Sequence, residues 1–204
     1  MGVQAFFASC PRGLEALLAG ELRQLGAINP RSTPGGVAFE GDRRVCCRAN
    51  LESRLATRVL MRLARTPYRN EQDIYEAALA LPWPEWFAER HSIRVDLNAI
   101  RSPLKSLEFA TLRIKDAVCD RFRADRGNRP DVDTRSPDVR IQGFVDRDHL
   151  TLYLDTSGEP LNRRGYRREA GEAPLKENLA AGIVRLTGWN GGEPLLDPDR
   201  KSVV

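Results

Sequence analysis

Ser157-Gly158-Glu159-Pro160-Leu161-Asn162-Arg163-Arg164-Gly165-Tyr166-Arg167-Arg168, followed by Ala173-Pro174-Leu175-Lys176-Glu177, decides how this chain is organised. The first stretch sets four arginines within six residues, with Gly165 giving backbone freedom and Tyr166 a flat apolar ring. Phosphates are met by mobile cationic donors and unpaired bases by stacking surfaces, and the segment offers both. A solvated linker whose arginines pair with Glu159, Glu169 and Glu172 has the same residue types. The second stretch opens a helix predicted to end near Gly188-Trp189, and the short apolar run Leu195-Leu196-Asp197-Pro198 follows. Six further residues carry no glycine-rich loop and no catalytic constellation. A basic element joined to the opening of a catalytic fold points to a nucleic-acid-modifying enzyme, with the recognition part in this chain.

Upstream, the pattern predicts a small α+β layer. Val3 to Ala8 reads as a strand, broken by Pro11 and Gly13. Leu14, Leu17, Leu18, Leu22 and Leu25 form one apolar stripe of a helix that Gly26 stops. The turn Pro34-Gly35-Gly36 precedes a strand at Val37–Phe39, a helix covers Arg43 to Asn50, and Val59–Leu63 is a third strand. This β-α-β-α-β order places helices on one face of a sheet. Pro67 and the polar Arg69–Gln72 read as a linker with a hinge between two units. A second unit has a helix from about Asp73 to Leu81, a strand at Ile93–Leu97 and a long helix marked by Leu107, Ala110, Ile114, Ala117 and Val118. Val139–Val145 and Leu150–Leu154, turned at Asp146-Arg147-Asp148, predict a β-hairpin.

Composition leans the same way. Of 32 basic residues only four are lysines (Lys105, Lys115, Lys176, Lys201), leaving 28 arginines against 28 acids. Arginine binds phosphate bidentately and stacks on bases; a GC-rich gene gives the same bias. Cys10, Cys46, Cys47 and Cys119 form no C-x-x-C pair, and His91 and His149 have no ligand-spaced neighbours, so no metal site is expected and a reducing cytosol fits. No stretch approaches the roughly 18–20 apolar residues of a membrane span, so a soluble, cytoplasmic chain is expected.

Among lesser candidates, Arg113 and Lys115 sit on the polar side of the long helix, with Arg121, Arg123, Arg126 and Arg129 near its end. Cations at a helix C-terminus are favoured by its dipole; together these residues extend a positive face. Trp83, Trp86 and Phe87 read as packing rather than as a stacking platform, and Gly191-Gly192 as a turn.

Several motifs, taken in combination, resemble one family. They are Phe6-Phe7-Ala8-Ser9-Cys10-Pro11-Arg12-Gly13-Leu14-Glu15, Gly35-Gly36-Val37-Ala38-Phe39-Glu40-Gly41-Asp42, Lys115-Asp116-Ala117-Val118, Arg129-Pro130-Asp131-Val132-Asp133 and Ser136-Pro137-Asp138-Val139-Arg140. The strongest is Asp155-Thr156-Ser157-Gly158 through Arg163-Arg164-Gly165-Tyr166-Arg167 and on into Ala173–Glu177. The chain resembles the N-terminal part of the large bacterial THUMP-containing 23S rRNA guanine-N2 methyltransferases, often labelled N6-adenine-specific DNA methylases. One departure is Asn162, where the family usually has a histidine; this touches a base or phosphate contact, not the fold.

The resemblance implies an α+β chain with a ferredoxin-like unit over 1–66 and a THUMP RNA-binding domain over 67–157. A basic linker over 158–173 and the truncated start of a Rossmann-like methyltransferase domain over 174–204 would follow. It implies RNA contacts at Arg163, Arg164, Tyr166, Arg167 and Arg168, extended by Arg113 and Lys115, with 23S rRNA or another structured RNA as partner. S-adenosylmethionine would belong to the full-length family, held by a loop that follows Leu-Leu-Asp-Pro there and has no counterpart at Asp199–Val204. The chain alone is therefore expected to be inactive, with no catalytic, cofactor or metal residue. The missing domain would pack on residues 174–189, whose apolar face (Leu175, Leu179, Ile183, Leu186) would otherwise be exposed. Two alternatives stay open: a THUMP module of a tRNA-modifying enzyme, and a ferredoxin-like interaction module that binds no RNA.

Overall fold

The structure, a computed structural model, describes residues 2–165 and 175–195. Its elements run β1 (Gln4–Ser9), α1 (Glu15–Gln24), β2 (Ile28–Thr33), β3 (Gly36–Gly41), α2 (Arg43–Glu52), β4 (Arg58–Pro67), α3 (Glu71–Leu79), β5 (Ile93–Ala99), α4 (Leu107–Arg126), β6 (Val139–Val145), β7 (His149–Asp155) and α5 (Glu177–Leu186). The strands form one seven-stranded sheet in the order β2-β3-β1-β4-β7-β6-β5, parallel only between β5 and β6. No helix among the described residues is long and apolar enough to cross a membrane.

Strand pleating explains where the cores lie. Phe6 and Ala8 of β1 pair with Phe39 and Val37 of β3 and with Met61 and Val59 of β4. All six point to one face, where Leu14 just before α1, Leu18 and Leu22 of α1 and Ala49 of α2 complete a core. Further along the same face Ile93, Ile141, Leu150 and Leu152 meet Ile74 and Ala78 of α3 and Ile114, Val118 and Phe122 of α4. Strand β4 serves both cores, with Val59 and Met61 in one and Leu63 in the other. Trp83, in a short 3₁₀ turn at Trp83–Glu85, is fully buried beside Phe87 and donates its indole N–H to Ala78 O at 2.7 Å. The aromatic cluster is thus packing inside the second core.

Caps place the helix starts. Asp42 accepts from Val45 N–H, Asn70 from Gln72 and Asp73 N–H, and Ser106 from Phe109 N–H, while Gly127, left-handed at φ 75°, ends α4. The Glu15 carboxylate accepts from Gly35 N–H at 2.9 Å and Gly13 N–H at 2.8 Å, stapling the β2–β3 turn to the start of α1. Those backbone donors, Gly35 first, hold its pKa below the ordinary 4.5. A lowered folded-state pKa contributes stability above the unfolded value, and that contribution is lost as pH falls through the folded one. The stability gap between the native chain and Glu15→Gln should therefore be open at pH 7 and shrink below pH 4.5. Urea titrations at several pH values check this; a gap that stays constant down to pH 3 would count against the staple.

Three differences from the sequence reading have physical reasons. Strand β2 leaves no mark in the sequence because it has no apolar alternation: it is an exposed edge strand with a register shift between Ile28 and Arg31. With it, the first unit becomes β-α-β-β-α-β, the ferredoxin-like order. Pro67–Gln72 is not a free linker either. Strand β4 runs through Pro67, and Tyr68 is buried, donating its hydroxyl to Asp146 O at 2.7 Å and its N–H to Asp148 O.

The third concerns α5, which docks on the first core through its less apolar side. Asn178 is 2% exposed and donates to Thr57 Oγ1 at 2.9 Å; Gly182 abuts Leu14; Arg185 lies 2.5 Å from Glu21 Oε2. Leu179 packs on this core, so the expected exposed stripe is reduced to Leu175, Ile183 and Leu186. A Cβ at Gly182 would sit 2.3 Å from Leu14 Cδ1, and Leu14 is itself buried. Gly182→Ala should therefore loosen α5 by about 1–2 kcal/mol despite the better helix propensity of alanine. Gly20→Ala on α1, where the added methyl meets nothing within 4 Å, should stabilise by about 0.5–1 kcal/mol. Hydrogen exchange of α5 amides and thermal melting check the pair; equal signs would contradict this packing.

Candidate nucleic-acid interface

The arginine segment is fastened by the chain that leads into it. After β7, Thr156 N–H and Oγ1–H both donate to Val59 O, and Asn50 Nδ2 donates to Thr156 Oγ1 at 2.9 Å. Ser157 Oγ accepts from Val59 N–H and donates to Asn50 Oδ1, and Leu161 N–H donates to Thr57 O at 2.8 Å. Arg58 pairs with Asp155 and donates to Gly158 O at 2.7 Å. Burial pushes the Asp155 carboxyl above its ordinary value, outweighing the opposing pull of Ser157 N–H and Arg58. Residues 156–161 are thus laid along the start of β4 and the end of α2.

Arg164 closes this arrangement. Its Nε donates to Leu161 O at 2.9 Å, and its terminal nitrogens to Asn50 O at 2.9 Å, Ser53 O at 2.8 Å and Leu51 O. The last carbonyls of a helix lack intrahelical partners and carry the negative end of its dipole. Arg164 therefore caps α2, and its guanidinium faces protein carbonyls rather than solvent. Arg163, one residue away, is exposed, and its guanidinium makes no hydrogen bond or ion pair among the described residues. Tyr166, Arg167 and Arg168 lie outside the described residues. Asn162 and Arg164 line a cleft of about 480 Å³ together with Ser53, Arg54 and Glu177.

Arg113 and Lys115 are held elsewhere, on α4 beside the other core. The Arg113 guanidinium lies 4.1 Å from the centroid of the Tyr75 ring and donates to Gln72 Oε1 at 2.6 Å; Lys115 Nζ lies 2.6 Å from Asp116 Oδ1. Arg121 and Arg123 are engaged by Asp125 and Asp120 on the same helix. The four described members of the sequence-selected set accordingly fall on two separate elements, Arg113 and Lys115 on α4 and Arg163 and Arg164 beside the end of α2. Of those described, Arg163 alone combines exposure with a guanidinium that contacts no protein acceptor.

A second basic surface was not selected from the sequence. Among the described residues the helices α1 to α5 pack on one face of the sheet, and the other carries Phe7, Leu60, Arg62, Arg65, Arg94, Arg140, Phe144 and Tyr153, with Asp96 and Asp155 among them. Phe7 and Tyr153 meet with ring centroids 6.2 Å apart. Phe7 reaches across Gly36, where a Cβ would fall 2.4 Å from its ring. Burial raises the pKa of the Tyr153 phenol, and Arg62 and Arg65 oppose that rise. The alternation of Arg62 and Arg140 with apolar neighbours is visible in sequence, but only the strand register brings them to one surface. Among the described residues no three His, Cys, Asp or Glu side chains are grouped to hold a metal ion.

A family model for the RlmL ferredoxin-like domain matches residues 5–60, one for the THUMP domain residues 68–155, and one for the RMKL-like methyltransferase domain residues 164–198. The chain is 42% identical over 196 residues to ribosomal RNA large subunit methyltransferase K/L of Aeromonas hydrophila, covering 96% of this chain and 27% of that protein. It is 46% identical over 197 residues to the protein of the same name from Syntrophotalea carbinolica, covering 95% of this chain and 28% of that one. It therefore spans little more than a quarter of the length of these curated relatives. Among solved structures, a predicted N6-adenine-specific DNA methylase from Listeria monocytogenes superposes with a TM-score of 0.81 at 31% identity, over 93% of this chain and 50% of the other.

Proposed function

From a chain that belongs, as its ferredoxin-like and THUMP part, to the family of THUMP-containing bacterial large-subunit rRNA methyltransferases, we propose a role in holding structured RNA for base methylation. The RNA is 23S rRNA and the reaction S-adenosylmethionine-dependent methylation of a guanine N2, in the cytoplasm. The units are residues 1–66 (ferredoxin-like), 67–157 (THUMP), 158–173 (basic connector) and 174–204 (entry to the methyltransferase domain). That domain packs on α5, where Ile183 and Leu186 remain exposed on a helix already seated on the first core.

The observation that carries the reading is the anchoring of the arginine segment. Arg164 and the Thr156–Ser157 hydrogen bonds anchor the start of the segment, and beside them Arg163 is exposed, its guanidinium making no hydrogen bond or ion pair among the described residues. Arg163, Tyr166, Arg167 and Arg168 are assigned to RNA, with Arg113 and Lys115 as a more distant phosphate-facing pair. Arg164 is assigned to the protein side of this arrangement. In this chemistry S-adenosylmethionine supplies the methyl group to a base taken out of its stack. The described residues do not fit that cofactor, since no described strand runs through a glycine-rich turn into a helix N-terminus. The residues of this chain bind and orient RNA, and no step of transfer is assigned to them.

Filter binding of the 204-residue chain to 23S rRNA fragments at increasing salt tests the reading. Affinity should fall linearly on a log–log plot, since each neutralised phosphate releases counterions. Competition with tRNA separates the rRNA assignment from a tRNA-modifying role: the rRNA fragment should displace tRNA at equal concentration. No binding at low salt, or binding indifferent to salt, would return the chain to an interaction module without RNA.

A further inference from the structure

The helix-free face of the sheet has a composition that neither core explains. Phe7, Leu60, Phe144 and Tyr153 belong to neither hydrophobic core. Leu60 is nevertheless only 5% exposed, because the rings of Phe7 and Tyr153 meet across β4, the strand that carries it. Next to this aromatic pair the register sets Arg62 opposite Tyr153 and Arg65 opposite Thr151, which is itself opposite Phe144. On the outer strands Arg140 stands beside Arg94. Arg94 is engaged by Asp96 and Arg58 by Asp155, but Arg62, Arg65 and Arg140 make no ion pair or hydrogen bond among the described residues.

We propose that this open face is a second RNA-binding surface, which takes a single-stranded segment by stacking bases on Tyr153 and Phe144 and meeting phosphates with Arg62, Arg65 and Arg140. The proposal rests on the RNA-binding reading above and adds a surface to it. Three observations favour this occupant. Flat rings set among uncommitted guanidinium groups suit bases joined by phosphates, whatever their sequence. The pleat of a sheet spreads such rings and charges over one plane, which accommodates an unpaired strand better than a duplex groove. The charge is also complementary: Arg62, Arg65 and Arg140 form no ion pair among the described residues, and the acids nearest to Arg65 and Arg140 are already engaged, Asp146 by the N–H groups of Asp148 and His149 and Asp155 by Arg58 and Ser157 N–H, so that phosphates would supply the missing counter-charge.

The test uses the full 204-residue chain and two probes, a structured 23S rRNA fragment and an unstructured oligoribonucleotide of about 12 nucleotides. Arg62→Gln with Arg65→Gln should lower the salt slope for the oligonucleotide by about 1.4, two contacts at roughly 0.7 each for a single strand. Tyr153→Ala should weaken oligonucleotide binding about five- to 150-fold, and Tyr153→Phe should leave it near the native value, since the ring is kept. Unchanged circular dichroism and melting of the double arginine variant keep the result interpretable even if Tyr153→Ala unfolds. Native-like affinity and slope in the double variant, while the native chain still binds the structured fragment, would overturn the open-face proposal and spare the RNA-binding reading. Failure of the native chain to bind either probe would overturn both. A concentration-dependent dimer that the arginine substitutions abolish would give the face to a second copy and also end the proposal.

Discussion

Replacing Arg164 with Ala is expected to destabilise the chain by about 2–4 kcal/mol, although the residue sits in a segment whose composition suggests RNA contact or a solvated linker. Its guanidinium satisfies four carbonyls, three of them at or just past the end of α2. A charge-assisted hydrogen bond is stronger than a neutral one, and carbonyls that lose their donor keep their desolvation cost. Several bonds from one side chain are not additive, so the expectation is well below their sum. Arg164→Lys should recover less than half, because a single ammonium cannot reproduce the planar fork that spans Asn50, Leu51 and Ser53. Arg163→Ala, one residue away and exposed, should change stability by less than about 0.5 kcal/mol. Urea denaturation of the three variants checks the contrast. Equal midpoints for Arg163→Ala and Arg164→Ala would remove Arg164 from its capping role.

That contrast also shows where sequence reading stops. Alternation in β5, β6 and β7 and the leucine stripe of α1 are local patterns, set by the two-residue and 3.6-residue periods of strand and helix. They were legible because each strand has one face on a core. Strand β2 lacks that condition: Asn29, Arg31, Ser32 and Thr33 are exposed at a sheet edge, so nothing in their order marks them. The docking side of α5 is hidden from the sequence for a related reason. Hydrophobicity marks Leu175, Leu179, Ile183 and Leu186, of which Leu179 packs on the first core, whereas the rest of the contact is made by Asn178, which finds a hydroxyl partner, and Gly182, which lets α5 approach Leu14. For the candidate site, the density of arginine in 163–168 was plain, but the use of Arg164 was not. Three of its four acceptors are backbone carbonyls more than a hundred residues upstream, and carbonyls leave no residue-type signature. The open face escaped detection because Phe7, Arg62 and Tyr153 come together through the pairing of β1 and β7 with β4.

The same distinction reshapes the RNA experiment on the arginine segment. Substituting Arg163, Arg164 and Arg167 together would mix lost contacts with a lost helix cap, so Arg164 has to stay. Arg163, Arg167 and Arg168 replaced by Ala should lower the salt slope on a structured 23S rRNA fragment by about one unit per lost phosphate contact, close to three in all. Affinity should fall by one to two orders of magnitude at low salt, and the variants should converge on the native chain as salt rises and screens the native contacts. Tyr166→Ala tests the other half of the segment: if its ring stacks on a base, binding should weaken by about 1–3 kcal/mol with little change of slope. Slope and intercept thus report charge and stacking separately, which a single affinity cannot do. Melting temperatures must match the native chain in both cases, and the retained Arg164 makes that condition attainable. If the triple variant keeps the native slope with its fold intact, the segment is a capped connector between domains, and the RNA contacts must be sought on other surfaces of the chain.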